Sequence, residues 1–197
     1  MDERKPKSKK EFKPPRKITS ARLANIALHH LDRYASSVEN LRRVLERRVF
    51  KASLFHEDLD PNEAKIWIDD ILKRYIDSGL LNDLAYAETR ARSLLSRGSS
   101  TRLIRLKLME KGISGETIDK ALKTLELDAP DPELFAAIKF ARKRRLGPFC
   151  DPAKRVDNHD KHLSAMARAG FSYDMAQRIM DAESAGALEE TQKIIKN

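Results

Sequence analysis

A single cysteine, Cys150, in a chain of 197 residues rules out an internal disulfide and a cysteine-rich zinc site. Four valines and six threonines are too few for a large β-sheet, and seven glycines and eight prolines exclude collagen-like or flexible-linker sequences. No apolar run approaches the ~18 residues of a membrane-spanning helix. The opening MDERKPKSKKEFKPPRK is charged where an export signal carries its apolar stretch, so a cytoplasmic protein is expected. One tryptophan, four tyrosines and seven phenylalanines leave little for stacking on bases. Most of them fall on apolar faces or at helix ends, as core aromatics do.

Catalytic groups are equally scarce. Neither GxxxxGK[ST] nor GxGxxG occurs, so the usual phosphate cradles are missing. His29 and His30 are adjacent and point about 100° apart on a helix, which prevents them from gripping one ion. His159 and His162, with Asp160, make half of a metal site that no second cluster completes. Sequential acids such as Asp69-Asp70 diverge in direction, and His56-Glu57-Asp58 has the character of a solvated acidic turn. The expectation is a protein without enzymatic activity, metal or cofactor.

What the chain has is charge. Lys and Arg number 39 against 30 Asp and Glu, a net of +9, and the excess is concentrated. Residues 1–17 carry eight bases and three acids, residues 84–112 seven and two, residues 139–155 seven and one. Acid gathers in 56–70 and 113–133. Patches of this kind suit a partner rich in phosphate or carboxylate, although an ordinary solvated helical surface has a similar balance.

Apolar residues recur at helical spacing from Ile18 onward, which predicts an all-α fold. Ala21, Ala24, Leu28 and Leu31, with Ala27 widening the stripe, define the first predicted helix, running to about Ala35. Ser36 and Glu39 form a capping box for the second, whose stripe is Leu41, Val44, Leu45 and Val49. After a loop at 51–60, Asp60-Pro61 starts a helix with Trp67, Ile68, Ile71, Leu72 and Tyr75 inward, stopped by Gly79. Leu84, Ala87, Ala91, Leu94 and Leu95 face inward on the next helix. Leu103, Ile104 and Leu108 follow after Ser100, then Ile118, Ala121, Leu122 and Leu125 after Ser114. Asp131-Pro132 restarts the chain with Leu134, Ala137, Ile138 and Ala141. Asp151-Pro152 opens a segment ending at Gly170, and Ser172 caps the last predicted helix.

Overlaying the second helices reveals a repeat. Leu45 to Phe50 lies against Leu108 to Ile113 and Met166 to Phe171, with His162 where Leu41 and Ile104 stand. The reading is three tandem three-helix repeats forming an elongated, curved body. A disordered basic arm, 1–17, precedes repeats at 18–81 (with an inserted loop, 51–62), 82–128 and 129–185, and a tail occupies 186–197. Each repeat carries cations: Arg42, Arg43, Arg47 and Arg48; Arg90, Arg97, Arg102 and Arg105; Lys143, Arg144 and Arg145. These are the candidate partner- or DNA-binding residues. Pairing with Glu39, Glu46, Glu88 or Glu110 on nearby turns is the competing use of the arginines.

Gly79-Leu80-Leu81-Asn82-Asp83-Leu84-Ala85-Tyr86-Ala87, continued through Arg90 to Arg97-Gly98, resembles the central signature of the RecX family of recombinase regulators. Ile104 to Leu108 with Glu110-Lys111-Gly112-Ile113 resembles the segment that follows, and Leu31 to Ser36 with Glu39 and Leu41 to Leu45 resembles the first unit. The chain departs from the family in Asn82-Asp83, Leu84-Ala85 and the enlarged loop at 51–62. The resemblance implies a helical triple-repeat protein that binds the RecA recombinase and the RecA–DNA filament. It implies restraint of ATP hydrolysis, strand exchange and coprotease activity in recombination, repair and the SOS response. A monomer that also touches single- or double-stranded DNA is consistent with this. The alternatives are a helical accessory protein acting on DNA directly and an adaptor for an unrelated acidic protein.

Overall fold

The computed structural model describes residues 15–128 and 131–194. Among these residues there are eleven α-helices and no strand. In chain order they are α1 (Ser20–Leu31), α2 (Val38–Ser53), α3 (Pro61–Asp77), α4 (Asp83–Leu95), α5 (Thr101–Met109) and α6 (Gly115–Asp128). Then come α7 (Pro132–Arg144), a 3₁₀ turn (Gly147–Phe149), α8 (Pro152–Arg155), α9 (His159–Arg168), α10 (Tyr173–Met180) and α11 (Ala185–Ile194). No described helix is long and apolar enough to cross a membrane. Asp60, Ser100, Asp131 and Ser172 cap helix starts as the sequence predicts, each accepting a hydrogen bond from an amide in the first turn, and Asn82 does the same for α4.

The chain divides into two compact units, Met1–Ala35 with Leu41–Leu80 and Ser36–Asn40 with Leu81–Asn197. In the first, α1 packs on α3, and the Tyr75 hydroxyl donates to the Ala24 carbonyl at 3.2 Å. The core is Leu23, Ala27, Leu41, Leu45, Ile68, Ile71 and Leu72. On α1 the predicted Ala27 is buried, but its partner is Leu23: Ala21 is exposed and Leu28 is 47% exposed. An Ala- and Leu-rich helix offers two stripes at helical spacing, and the tertiary neighbours choose between them. The helix also stops at Leu31, short of Ala35.

α2 runs through Ser53 because Ala52 continues the buried stripe of Leu41, Leu45 and Val49, which shortens the predicted loop to 54–60. That loop anchors incoming chain. His56 Nε2 donates to the Pro15 carbonyl at 2.8 Å, and Lys17 pairs with Asp58, holding that carboxyl below its usual range. The end of the expected basic arm is therefore docked, and His56-Glu57-Asp58 is more than a solvated turn. Residues 1–14 of the arm lie outside the described residues.

In the second unit α4 packs on α5, α6 and α7, while α10 and α11 pack on α7. Leu94, Ile104, Leu108, Ile118, Leu125, Leu134 and Ile138 are central to its core. Leu84 lies outside it at 37% exposure. The predicted segment from Asp151 to Gly170 is broken into α8 and α9. Residues assigned to a tail instead form most of α11, with Leu188 buried. A single leucine in Ala185–Lys193 makes too thin a stripe to be seen in sequence.

Inside this second unit one junction occurs twice. Ser37 caps α2, accepting from the Asn40 amide at 3.2 Å, and its hydroxyl donates to the Lys111 carbonyl at 2.5 Å. Ser100 caps α5, accepting from Leu103 at 3.2 Å, and donates to the Ala169 carbonyl at 2.7 Å. Both serines are fully buried. In each case the accepting carbonyl directly precedes a left-handed glycine, Gly112 (φ 76°) or Gly170 (φ 88°). The next helix amide is also met by an acid from elsewhere: Val38 N–H donates to Asp83 at 2.9 Å, and Thr101 N–H to Glu133 at 2.8 Å. The cap of α2 is thus Ser37, one residue beyond the predicted Ser36.

The third second-helix end differs. Val49 stands where Gly112 and Gly170 stand, so α2 cannot turn there and continues. Phe50 is 65% exposed, whereas the matching Ile113 and Phe171 are each 4% exposed. The register of the overlay fails at that one position.

A β-carbon on Gly170 would lie 2.7 Å from Ser100 Oγ, besides straining the left-handed backbone. Ser100→Ala removes both a cap and the partner of a buried carbonyl. Each of Ser100→Ala and Gly170→Ala should lower stability by about 1–3 kcal/mol in chemical denaturation. The double variant should lose about 1 kcal/mol less than the sum, because alanine at 100 leaves room for the added methyl. Strict additivity would show that the two positions do not meet.

Candidate binding surface

The first cationic set lies along α2. Arg42 is 2.5 Å from Asp69 on α3 and only 27% exposed, so its charge is drawn into a local pair. Arg47 Nε donates to the Arg43 carbonyl at 3.2 Å, one turn back. Arg48 enters a groove between α1 and α2 with Arg22, His29, His30, Arg33 and Tyr34. Burial and the neighbouring Arg47 charge hold the His30 imidazole below its usual range. Arg22 and Arg33 are not among the cations singled out from the sequence. Arg22 and His29, seven residues apart, share one face of α1, and Arg33 follows the helix end.

The second set is divided. Arg90 is half-buried beside Tyr86, whose phenol burial pushes up while Arg90 pulls it back. Arg97 is exposed in the α4–α5 turn. Arg102 and Arg105 line a groove with Asp119, Lys123, Glu126 and Pro132, and Arg105 pairs with Asp119 at 2.5 Å. Arg102 also lies against the Gly170 turn, its Cβ 3.6 Å from where a β-carbon would sit. The acids that take these arginines are Asp69 and Asp119, one helix away. Pairing one turn away is seen at Arg92, 3.9 Å from Glu88, and the same guanidinium also meets Asp128 on α6 at 2.7 Å.

The third set, Lys143, Arg144 and Arg145, is exposed at the C-terminus of α7, where cations complement the helix dipole. The Arg144 guanidinium lies 6.0 Å from the Phe140 ring. Arg145 has φ 55°, the one non-glycine residue in the left-handed region among the described residues. Its amide donates to Arg142 and the next amide to Ala141, the same hydrogen-bonding turn that Gly98 makes at the end of α4.

His162 does not face His159 as a ligand partner. It is 9% exposed, and its Nδ1 accepts from the Gly147 N–H at 3.1 Å. Among the described residues no three His, Cys, Asp or Glu side chains converge.

Comparison with known proteins accords with this architecture. A family model described as RecX, second three-helix domain, matches residues 82–122. A regulatory protein RecX from Myxococcus xanthus is 41% identical over 190 residues, covering 94% of this chain and 100% of that protein. The chain belongs to the RecX family. A second RecX, from Agrobacterium fabrum, is 32% identical over 88% of this chain and 87% of its own length. The crystal structure of RecX from Lactobacillus salivarius superposes with a TM-score of 0.56 at 21% identity, covering 89% of this chain and 97% of that one. Another RecX crystal structure gives 0.58 at 22% identity, covering 83% and 72%. The matched segment 82–122 spans α4, α5 and the first half of α6, including Arg90, Arg97, Arg102 and Arg105. These relatives are named regulatory proteins, and the solved structures share the all-helical fold.

Two outcomes follow from this geometry. Arg145→Gly should raise stability by about 0.5–1 kcal/mol, seen as a higher melting temperature, because glycine occupies the left-handed region without a β-carbon clash. His162, lowered by burial first and then by His159 and Lys161, resists the proton that the unfolded chain accepts near about pH 6.5. Its contribution is complete above that pH and declines as the pH falls toward the lowered folded value. His162→Asn keeps an acceptor for Gly147 and cannot titrate, so it should flatten the loss of stability between about pH 7 and pH 5. An unchanged slope would place the effect elsewhere.

Proposed function

We propose that this protein binds RecA and the RecA–DNA filament and restrains RecA ATP hydrolysis, strand exchange and coprotease activity, performing no chemistry itself. The observation that carries the reading is the match to a regulatory protein RecX along nearly the whole of both chains. Three three-helix units in tandem, 18–81, 82–128 and 129–185, present the cations. The repeated serine–glycine junction in the second unit supports such a tandem arrangement. Arg43, Arg47, Arg48, Arg90, Arg97, Arg102, Lys143, Arg144 and Arg145 are the contact candidates. Arg42 and Arg105 join them by exchanging Asp69 and Asp119 for a partner's acid or phosphate. The protein acts as a cytoplasmic monomer.

Titration against single-stranded DNA, free recombinase and the assembled filament separates the available readings. Tightest binding to the filament is expected. Equal affinity for naked DNA with a steep salt dependence would favour direct action on DNA. Changing Arg90, Arg97, Arg102 and Arg105 together to Ala should weaken inhibition of RecA ATP turnover by about tenfold or more, equivalent to ~1.4 kcal/mol. Undiminished potency would remove these four residues from the contact.

A further inference from the structure

The groove between α1 and α2 is walled by cations with no carboxylate among its lining residues. Arg22 and His29 come from α1, Arg33 follows it and Arg48 comes from α2, and none of the described residues lining the groove is acidic. In the groove lined by Arg102, Arg105 and Lys123, by contrast, Asp119 and Glu126 are part of the wall.

A second, independent observation lies at its floor. Arg22 Nε and His30 Nε2 are both buried, and neither has a hydrogen-bond partner. Only three side-chain atoms among the described residues share that condition, and two are here. A buried nitrogen without a partner is unfavourable in a way that an incoming acceptor relieves. Ile26 and Val44 complete the wall and lower the local dielectric, which strengthens attraction for an anion. At the mouth, Tyr34 is 61% exposed, with its ring 5.3 Å from that of His30. That ring offers a face to a base or sugar attached to the anion.

We infer that the α1–α2 groove is a phosphate site for one nucleic-acid strand, in which Arg22 and His30 turn their buried nitrogens toward the phosphate as donors, Arg33 and Arg48 neutralise its charge, and Tyr34 stacks on the adjoining nucleoside. The inference builds on the filament-binding reading and assigns the DNA component of that contact to the first unit. Burial and the Arg47 charge hold His30 below its usual range, and with its one proton on Nε2 the neutral ring donates toward phosphate. Bound phosphate would favour the imidazolium.

Nitrogen-15 NMR of the full chain tests the site directly. Titration with inorganic phosphate, and separately with a deoxythymidine oligomer, should shift the His30 ring nitrogens saturably, with Tyr34 ring signals moving only for the oligomer. Arg33→Glu with Arg48→Glu, both exposed positions, should weaken oligomer affinity about tenfold or more and reduce the slope of log affinity against log salt by about one. Lys123→Glu with Arg168→Glu, two exposed positions, makes the same charge change in the second unit and should have a clearly smaller effect. Silence at His30 with both probes overturns the assignment. So does a response to phosphate alone, which would mark a small-anion site, or equal losses in the two double variants. RecA ATPase inhibition, measured in parallel, separates this inference from the one beneath it. Wild-type protein that shifts His30 but fails to inhibit RecA sinks the regulatory reading and leaves the site. Inhibition with a silent His30 does the reverse.

Discussion

A buried serine hydroxyl, serving a helix start and a helix end at once, is the constraint on which the second unit turns. Ser37 and Ser100 each accept from an amide of their own helix and donate to a carbonyl many residues away. The donated bond reaches a carbonyl beside a glycine whose missing side chain makes the approach possible, since a β-carbon on Gly112 would overlap Glu39 and one on Gly170 would overlap Ser100. Acids at Asp83 and Glu133 complete the pattern by taking the following amide. Four orphan groups at helix termini are thereby satisfied by two neighbouring elements rather than by water. Serine size, left-handed backbone and carboxylate position must agree at one place, and they do so twice. Stacked helical hairpins gain their register from such points, because apolar packing alone is non-directional.

Much of this was legible in the chain. Caps at Asp60, Asn82, Ser100, Asp131 and Ser172 leave local signatures, since a short polar side chain is needed wherever a first turn has unpaired amides. The overlay that places His162 with Leu41 and Ile104 finds all three buried. Histidine is tolerated there because Gly147 supplies a donor for its ring nitrogen, a contact that sequence spacing cannot reveal. The misses have the same origin. Ala27 is buried as expected, while Ala21 and Leu28 lost to Leu23 through the placement of α3. α11 is held by one leucine and by Arg142 reaching Glu189 at 3.0 Å, too little to make a periodic pattern.

The site was legible to the level of residue type, and less so to the level of availability. A count of arginines cannot distinguish Arg105, turned toward Asp119, from Arg97, which is exposed. Both paired acids stand on the following helix, at sequence distances that no local rule assigns. Conversely, Arg22 lies on α1 and Arg33 just beyond its end, and their approach to Arg48 depends on tertiary packing rather than on a local pattern.

Electrostatic attraction to a polyanion depends on the charge left after internal compensation, and the cations differ sharply in that respect. Surface pairs such as Arg42–Asp69 and Arg105–Asp119 are weakly held and can exchange partners at small cost. They act as a reserve that a filament rich in acid or phosphate can recruit, at the expense of exposing the original carboxylate. Arg145 is at the opposite extreme. It occupies a left-handed turn position that glycine would fill with less strain, and it brings a charge to the end of a helix already cationic at Arg142, Lys143 and Arg144. Backbone strain opposes that choice, while the negative end of the helix dipole and the pairing of Arg142 with Glu189 ease the crowding of charge. The same residue therefore ends the helix with the bonds that Gly98 makes and keeps its guanidinium exposed.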